Sequence, residues 1–318
     1  MKYHCRACQK WFQVNRKQKR KPQAFLRLHL DGLPFRALAR AYDVSVGSAY
    51  NYCLEALEAL PPCADITRTY CQKFGGILLV DGKYLSIKGY ARKLPVVYGI
   101  DYTTHDIPHY VLALAENYQT CHAFFASLNL MGYPLHAVVC DDNRNIYETC
   151  RAVYPRATIQ LCQVHYLRNV KTTLDLDHQP QYRPFFQALH TLFTSKRSLP
   201  DFDQRAGHLV QAFHADPVCM STLIELERKK SLLLGYHTHK GTPTTTNLIE
   251  SFNSHLQGRL DTIKGFESFA HADAWLNAYF VRRRITTFTD CAGKFRRLNG
   301  KTSLSQTQKP GMDVPIFF

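Results

Sequence analysis

Three acidic residues stand where a carboxylate can do chemistry. Asp81 follows the apolar run Ile77 to Val80 in GGILLVDGKYLSIKG, Asp141 follows Ala137 to Cys140 in AVVCDD, and Glu250 lies on the helix expected after the Thr-rich turn of TTTNLIESFNSHLQGRL. A short buried strand that stops on an acid delivers it to the edge of a sheet, where reactive groups collect. The three acids are 60 and 109 residues apart, intervals that a sheet with its crossovers can fold back to one end. Carboxylate oxygens are hard ligands that suit Mg²⁺, and two such ions about 3.5–4 Å apart offset charge and activate a nucleophile in phosphodiester chemistry. Each acid also has a plainer reading: a turn at Asp81-Gly82, a helix cap at Asp141, an exposed helical position at Glu250. Asp142 competes with Asp141 for the second place.

The elements that must position these acids follow from pattern. ILLVDGKYLSI, KLPVVYGIDY and IPHYVLALA are strand-like, with a polar turn from Thr103 to Asp106, and predict three consecutive antiparallel strands. A helix over about 120–130 follows, then the strand that ends at Cys140, a further helix, and a strand over 157–161. That last strand delivers Cys162 and His165 at i, i+3 on one face of the next helix. This pair reads as two zinc ligands, as a nucleophilic thiol with its base, or as a hydrogen-bonded latch near the acids; the latch is preferred, because nothing nearby resembles a protease signature. Residues 166–240 read as helices and propose no chemistry of their own. The last long helix, about 266–286, places Trp275, Leu276, Tyr279 and Phe280 at core spacing and ends in Arg282 to Arg284, cations that complement the helix dipole or reach phosphate.

Forty Lys and Arg against 25 Asp and Glu give a net charge of +15, which points to a polyanionic partner, nucleic acid before membrane. No apolar run approaches the ~20 residues that span a bilayer, and the polar start MKYHCRACQK is unlike a signal peptide. A cytoplasmic, nucleoid-associated protein is expected, its eleven cysteines reduced thiols, ligands or core residues rather than a disulfide framework. The first 22 residues hold eight Lys or Arg and no acid. Within them Cys5 and Cys8 have the knuckle spacing that zinc favours but supply only two of its four ligands, so Zn²⁺ there stands against two loosely placed cysteines. Arg16, Lys17, Lys19, Arg20 and Lys21 form an arm suited to phosphate contacts. Then AFLRLHLDGLPFRALARAYDVSVGSAYNYCLEALEAL predicts three helices, broken at Asp31-Gly32 and near Asp43, with Leu38, Ala41 and Val44 on one face and Ser45 capping the third. This is the helix-turn-helix pattern, in which Ser48, Asn51 and Tyr50 would face the groove; a structural three-helix bundle is its alternative.

Taken jointly, VDGKY, VVCDD, YPRATIQLCQVHYLRNV and TTTNLIESFNSHLQGR resemble DDE transposases of the Mutator-like superfamily, of bacterial insertion-sequence type, over roughly residues 75–285. The resemblance implies an RNase H-like fold, a mixed five-stranded sheet with helices, interrupted by a helical insertion. It implies that Asp81 bridges two Mg²⁺ ions, replaceable by Mn²⁺, with Asp141 holding one and Glu250 the other. Cys162, His165, Arg168, Asn169, Asn247 and Asn253 fall on its further motif positions, and the 21 residues from Asp141 to Cys162 match its interval and favour Asp141 over Asp142. It also implies an upstream second CxxC, so the chain is expected to begin late.

The expected organisation is an α/β protein: basic arm 1–22, helix-turn-helix 23–62, catalytic domain 75–165 and 241–290 around the insertion 166–240, and a basic tail 291–318. The expected function is metal-dependent cleavage at transposon ends and strand transfer into target DNA. Partners are double-stranded DNA, both terminal inverted repeats and target, and further copies of the chain in a homodimer or higher multimer; no membrane is expected. Two alternatives stand beside it, a non-catalytic or truncated transposase-derived DNA-binding protein and an RNase H-like nuclease without strand transfer.

Overall fold

Apolar residues fill the runs before Asp81 and Asp141, Ile-Leu-Leu-Val and Ala-Val-Val-Cys, and the computed structural model buries both runs as the centre of a sheet. It describes residues 2–13, 21–263 and 265–318. The chain folds as two units, Met1–Leu60 with Pro315–Phe318, and Pro61–Val314.

In the first unit, β1 (Lys2–His4) and β2 (Trp11–Gln13) pair antiparallel. They are followed by α1 (Pro22–Leu30), α2 (Phe35–Tyr42) and α3 (Val46–Glu58). Gly32 turns the chain after α1 at φ 107°, and Asp43 ends α2 in the left-handed region at φ 49°, a conformation its short polar side chain tolerates. Ser45 Oγ accepts from the Ser48 amide at 3.0 Å and so starts α3. Phe25, Leu38, Ala39, Ala49 and Cys53 form the core. Ala41, expected on the buried face, is exposed, and Ala39 takes its place. Residues 16–20 of the basic arm lie outside the described residues.

The second unit begins with α4 (Cys63–Tyr70), an element that the sequence pattern did not announce. Then come β3 (Ile77–Leu85), β4 (Leu94–Asp101), β5 (Tyr110–Leu112), α5 (Tyr118–Leu130), β6 (Ala137–Cys140), α6 (Arg144–Val153) and β7 (Thr158–Leu161). The sheet order is β5-β4-β3-β6-β7, antiparallel across the first three strands and parallel from β3 to β7. This is the mixed five-stranded sheet of the RNase H-like fold. One face packs Leu78, Val80, Val97, Val138 and Cys140 against Phe124 and Phe125 of α5 and Ile146 of α6. Toward the other face lie α11 (Asn247–Leu260) and α12 (Phe269–Arg284), with Tyr98 of β4 against Phe280 at 5.1 Å between ring centroids.

Between β7 and α11 run α7 (Gln163–Thr173), α8 (Arg183–Thr191), α9 (Leu199–Phe213) and α10 (Pro217–Leu233). Both ends of this block are fastened to the same place. Gln160 of β7 donates to the Leu233 carbonyl at 2.8 Å and accepts from the Tyr236 amide at 2.8 Å. Gln163 donates to Leu233 from its side chain at 2.9 Å and to the Thr244 carbonyl from its backbone at 2.9 Å.

The cluster Arg282–Arg284 departs from the expectation of a free basic helix end. Arg284 is fully buried and makes a two-pronged pair with the equally buried Asp106, Nε to Oδ1 at 2.9 Å and Nη2 to Oδ2 at 2.8 Å. Ser303 and Thr307 donate to the same carboxylate at 3.0 and 2.7 Å. Arg283 lies over the Phe252 ring at 4.5 Å. The region expected as a tail folds back here, since α13 (Ser303–Thr307) supplies both hydroxyls. All eleven cysteines are free, and eight are buried.

Candidate active site

Asp81 sits in the middle of β3, opposite Tyr98 of β4. The parallel pairing of β3 with β6 stops at Leu79 and Val139, so Asp81 emerges just where β6 turns away and Asp141 follows the last residue of β6. Each feels the other's field. Burial, then the charge of Asp141, pushes the Asp81 carboxyl up to about 6. Burial, then the charge of Glu116, pushes Asp141 up as well. Asp81 Oδ1 accepts from the Gly82 amide at 2.8 Å, and Oδ2 accepts from Asn253 Nδ2 at 2.6 Å. Asn253 in turn accepts from the Tyr98 hydroxyl at 2.9 Å. Asp141 is less well served, for its Oδ1 is buried with no hydrogen-bond partner. Its neighbour Asp142 is neutralised by an ion pair with Lys229 of α10.

Glu250 belongs to the first turn of α11, three residues before Asn253, so one helix face carries both. Thr246, the residue before α11, donates to Glu250 Oε1 at 2.8 Å. Its hydroxyl also lies 3.2 Å from Cys162 Sγ and 3.4 Å from His165 Nδ1. His165 Nε2 stands 3.8 Å from Glu250 Oε1, and Arg168 Nη1 stands 3.7 Å from Oε2. Burial alone would raise the Cys162 thiol, but hydrogen bonds with His165 and Thr246 hold it below its usual value; the bond with Cys162 raises His165 against the opposing effect of burial. His165 also lowers both Asp81 and Asp141 through its charge, which makes it the group that all three acids share.

Cys162, His165 and Glu250 bring one donor atom each within 4.8 Å of one another, a mixed set of thiol, imidazole and carboxylate. The Asp81–Asp141 corner offers only carboxylate oxygens, one of them orphaned and both acids strained toward protonation. That is the donor chemistry of a hard divalent cation, and these residues fit one.

The other motif residues divide. Asn169 lines a cleft of about 720 Å³ beside Asp142 and Lys229, and Asn247 is exposed at the start of α11. In the first unit Cys5 and Cys8 flank the β1–β2 turn, where the Cys8 amide, the Cys8 thiol and the Ala7 amide lower the Cys5 thiol. Lys21 and Asn51 are exposed, Ser48 is half-buried at the start of α3, and Tyr50 packs edge-on against Phe35 at 5.4 Å. Sequence reasoning missed Thr246, Tyr98, Asn143 and Glu116. Only Thr246 left a signal, as the last threonine of the TTTN run.

In fold, the chain is similar to the Drosophila P element transposase strand transfer complex, with 11% identity, a TM-score of 0.49, and 85% of this chain and 94% of that chain covered. It is also similar to the simian T-cell lymphotropic virus intasome in complex with PP2A regulatory subunit B56 gamma, with 11% identity, a TM-score of 0.32, and 92% and 77% covered. No curated protein matches the chain in sequence. Residues 66–280, which include all three acids, the CxxH pair and Asn253, match the family described as Transposase, Mutator family, and the chain belongs to that family.

Proposed function

We propose that this protein is a DNA transposase of the DDE type, in which Asp81, Asp141 and Glu250 hold divalent cations for cleavage at transposon ends and for strand transfer into target DNA. The observation that carries this reading is the orphaned Asp141 Oδ1 next to an Asp81 whose carboxyl is pushed up to about 6. Two half-buried carboxylates side by side are stabilised as anions when positive charge joins them. When bound, Mg²⁺ or Mn²⁺ supplies charge neutralisation at the scissile phosphate and activation of the attacking oxygen. The chain's own residues supply position. Asn253, fixed by Tyr98, aims Asp81; Thr246 aims Glu250; the Cys162–His165 pair braces the N-terminal end of α11 and serves as a latch. Hydrolysis frees a 3′-hydroxyl, which then attacks target DNA, so product of the first step is nucleophile of the second.

In the first unit, the three helices with the arm that precedes them support a helix-turn-helix DNA-binding role, with Lys21 and the arm on phosphates and the α3 face carrying Ser48 and Asn51 toward the groove. Cys5 and Cys8 supply only two of the four ligands that zinc needs, so the pair is read as two thiols that do not hold zinc tightly. Joining of two element ends requires two copies of the chain on DNA.

The test is incubation of the full chain with the DNA that flanks its own gene, with and without Mg²⁺. Cleavage and joining should need the cation, and Asp81→Asn, Asp141→Asn and Glu250→Gln should each lower cleavage by about 100-fold or more while DNA binding persists. Wild-type cleavage by Glu250→Gln would sink the three-acid site.

A further inference from the structure

A fourth carboxylate reaches the same corner. Glu116 lies in the loop between β5 and α5, half-buried, on an element that carries none of the three acids. Its Oε2 accepts from the Tyr84 hydroxyl at 2.7 Å, and its Oε1 accepts from Asn143 Nδ2 at 2.6 Å. Tyr84 is on β3, three residues beyond Asp81; Asn143 starts α6, two residues beyond Asp141, and its side chain also caps that helix by accepting from Asn145. One side chain therefore ties the two acid-bearing segments together at the point where β3 and β6 part.

Room for it has been left. A Cβ on Gly82 would lie 2.4 Å from Glu116 Oε2, so a side chain there would displace the carboxylate from its present position. Both of its side-chain hydrogen bonds are donated to it. A carboxylate brought beside two others, with a gap in the strand to admit it, adds like-charge repulsion in the cation-free protein. Its charge acts on Asp141 more strongly than that of any other residue.

We propose that Glu116 is a positioning residue of the acid site, whose charge and paired hydrogen bonds hold the Asp81 and Asp141 segments in a cation-binding arrangement. This inference rests on the assignment of Asp81 and Asp141 as cation ligands. Partners that orient metal ligands from behind typically change affinity by about 10- to 100-fold when removed.

The experiment is titration calorimetry of the full chain with Mn²⁺ alone, without DNA, beside thermal unfolding. Glu116→Gln should weaken Mn²⁺ binding by about 10-fold or more at an unchanged unfolding midpoint. Glu116→Asp keeps the charge with a shorter reach, and should lose less affinity than Glu116→Gln. Binding by Glu116→Gln within twofold of wild type overturns the proposal, as does a larger loss in Glu116→Asp than in Glu116→Gln, which would mark a strap with no electrostatic part. Should Glu116→Gln fail to fold, the Asp variant decides: affinity within about 10-fold of wild type supports the charge, and a greater loss overturns it. Asp81→Asn separates the two levels. If it leaves Mn²⁺ binding intact, the acid site itself fails; if it abolishes binding while Glu116→Gln does not, only the role of Glu116 falls.

Discussion

Two acids of the same unit, the fully buried Asp106 and the half-buried Asp141, are treated in opposite ways. Asp106 receives a guanidinium on both oxygens and two hydroxyls besides, so its charge is fully answered within the fold. Asp141 faces Asp81, Glu116 and Asp142, and one of its oxygens meets no donor. Burial of charge is costly in both places, but only at the first does the protein offset the cost itself. The contrast separates an acid whose partners hold the fold together from an acid that the proposed function assigns to a cation.

Substitution should expose that contrast most sharply at Arg284. Arg284→Met leaves the buried Asp106 without its cation and with only the Ser303 and Thr307 hydroxyls, and should cost about 3–5 kcal/mol in chemical unfolding. Asp81→Asn in cation-free protein near pH 7 should leave stability equal or higher, since it removes one of several mutually repelling charges. Equal losses in the two variants would erase the distinction between the two corners.

The pH dependence is a smaller effect of the same origin. A carboxyl raised to about 6 in the fold, against 3.8 for the ordinary group, binds its proton more tightly folded than unfolded. Its cost to stability is therefore fully present above about pH 6 and is relieved as pH falls toward 4, a change of up to about 3 kcal/mol from Asp81. Cation-free protein should gain stability from pH 7 to 5 on this account, and saturating Ca²⁺ should flatten the gain because proton and cation compete for the same oxygens. Differential scanning calorimetry at several pH values, with and without Ca²⁺, checks both statements.

The smallest effect belongs to Asp142. Its partner Lys229 is also paired with Glu225 at 2.7 Å, so Asp142→Asn should cost less than about 1 kcal/mol and leave most of the cleavage activity. A loss as deep as that of Asp141→Asn would exchange the roles of these neighbours.

Much of this architecture could be read without coordinates. The strands around Asp81 and Asp141 are apolar runs with sharp polar ends, and the three helices of the first unit are punctuated by Gly32, Asp43 and Ser45, so local chemistry sufficed. What was hidden depends on distant partners. Arg284 looked like one of three solvent-facing cations because nothing nearby in sequence reveals Asp106, 178 residues away. Glu116 sits in the unpatterned loop ALAEN, and its meaning comes from the gap at Gly82 and the donors Tyr84 and Asn143. The face of α2 was misjudged because an eight-residue helix gives periodicity too little length to fix which residues turn inward.

The fastening of the helical block by Gln160 and Gln163 has an evolutionary consequence. Because the block leaves β7 and returns to it, the distance from His165 to Glu250 in space is set by those amide bonds and by α11, not by the number of residues between. Closing a longer excursion costs only logarithmically more entropy. The part of the block between α7 and α10 is thus a stretch whose length can vary, while the acid on α11 keeps its aim.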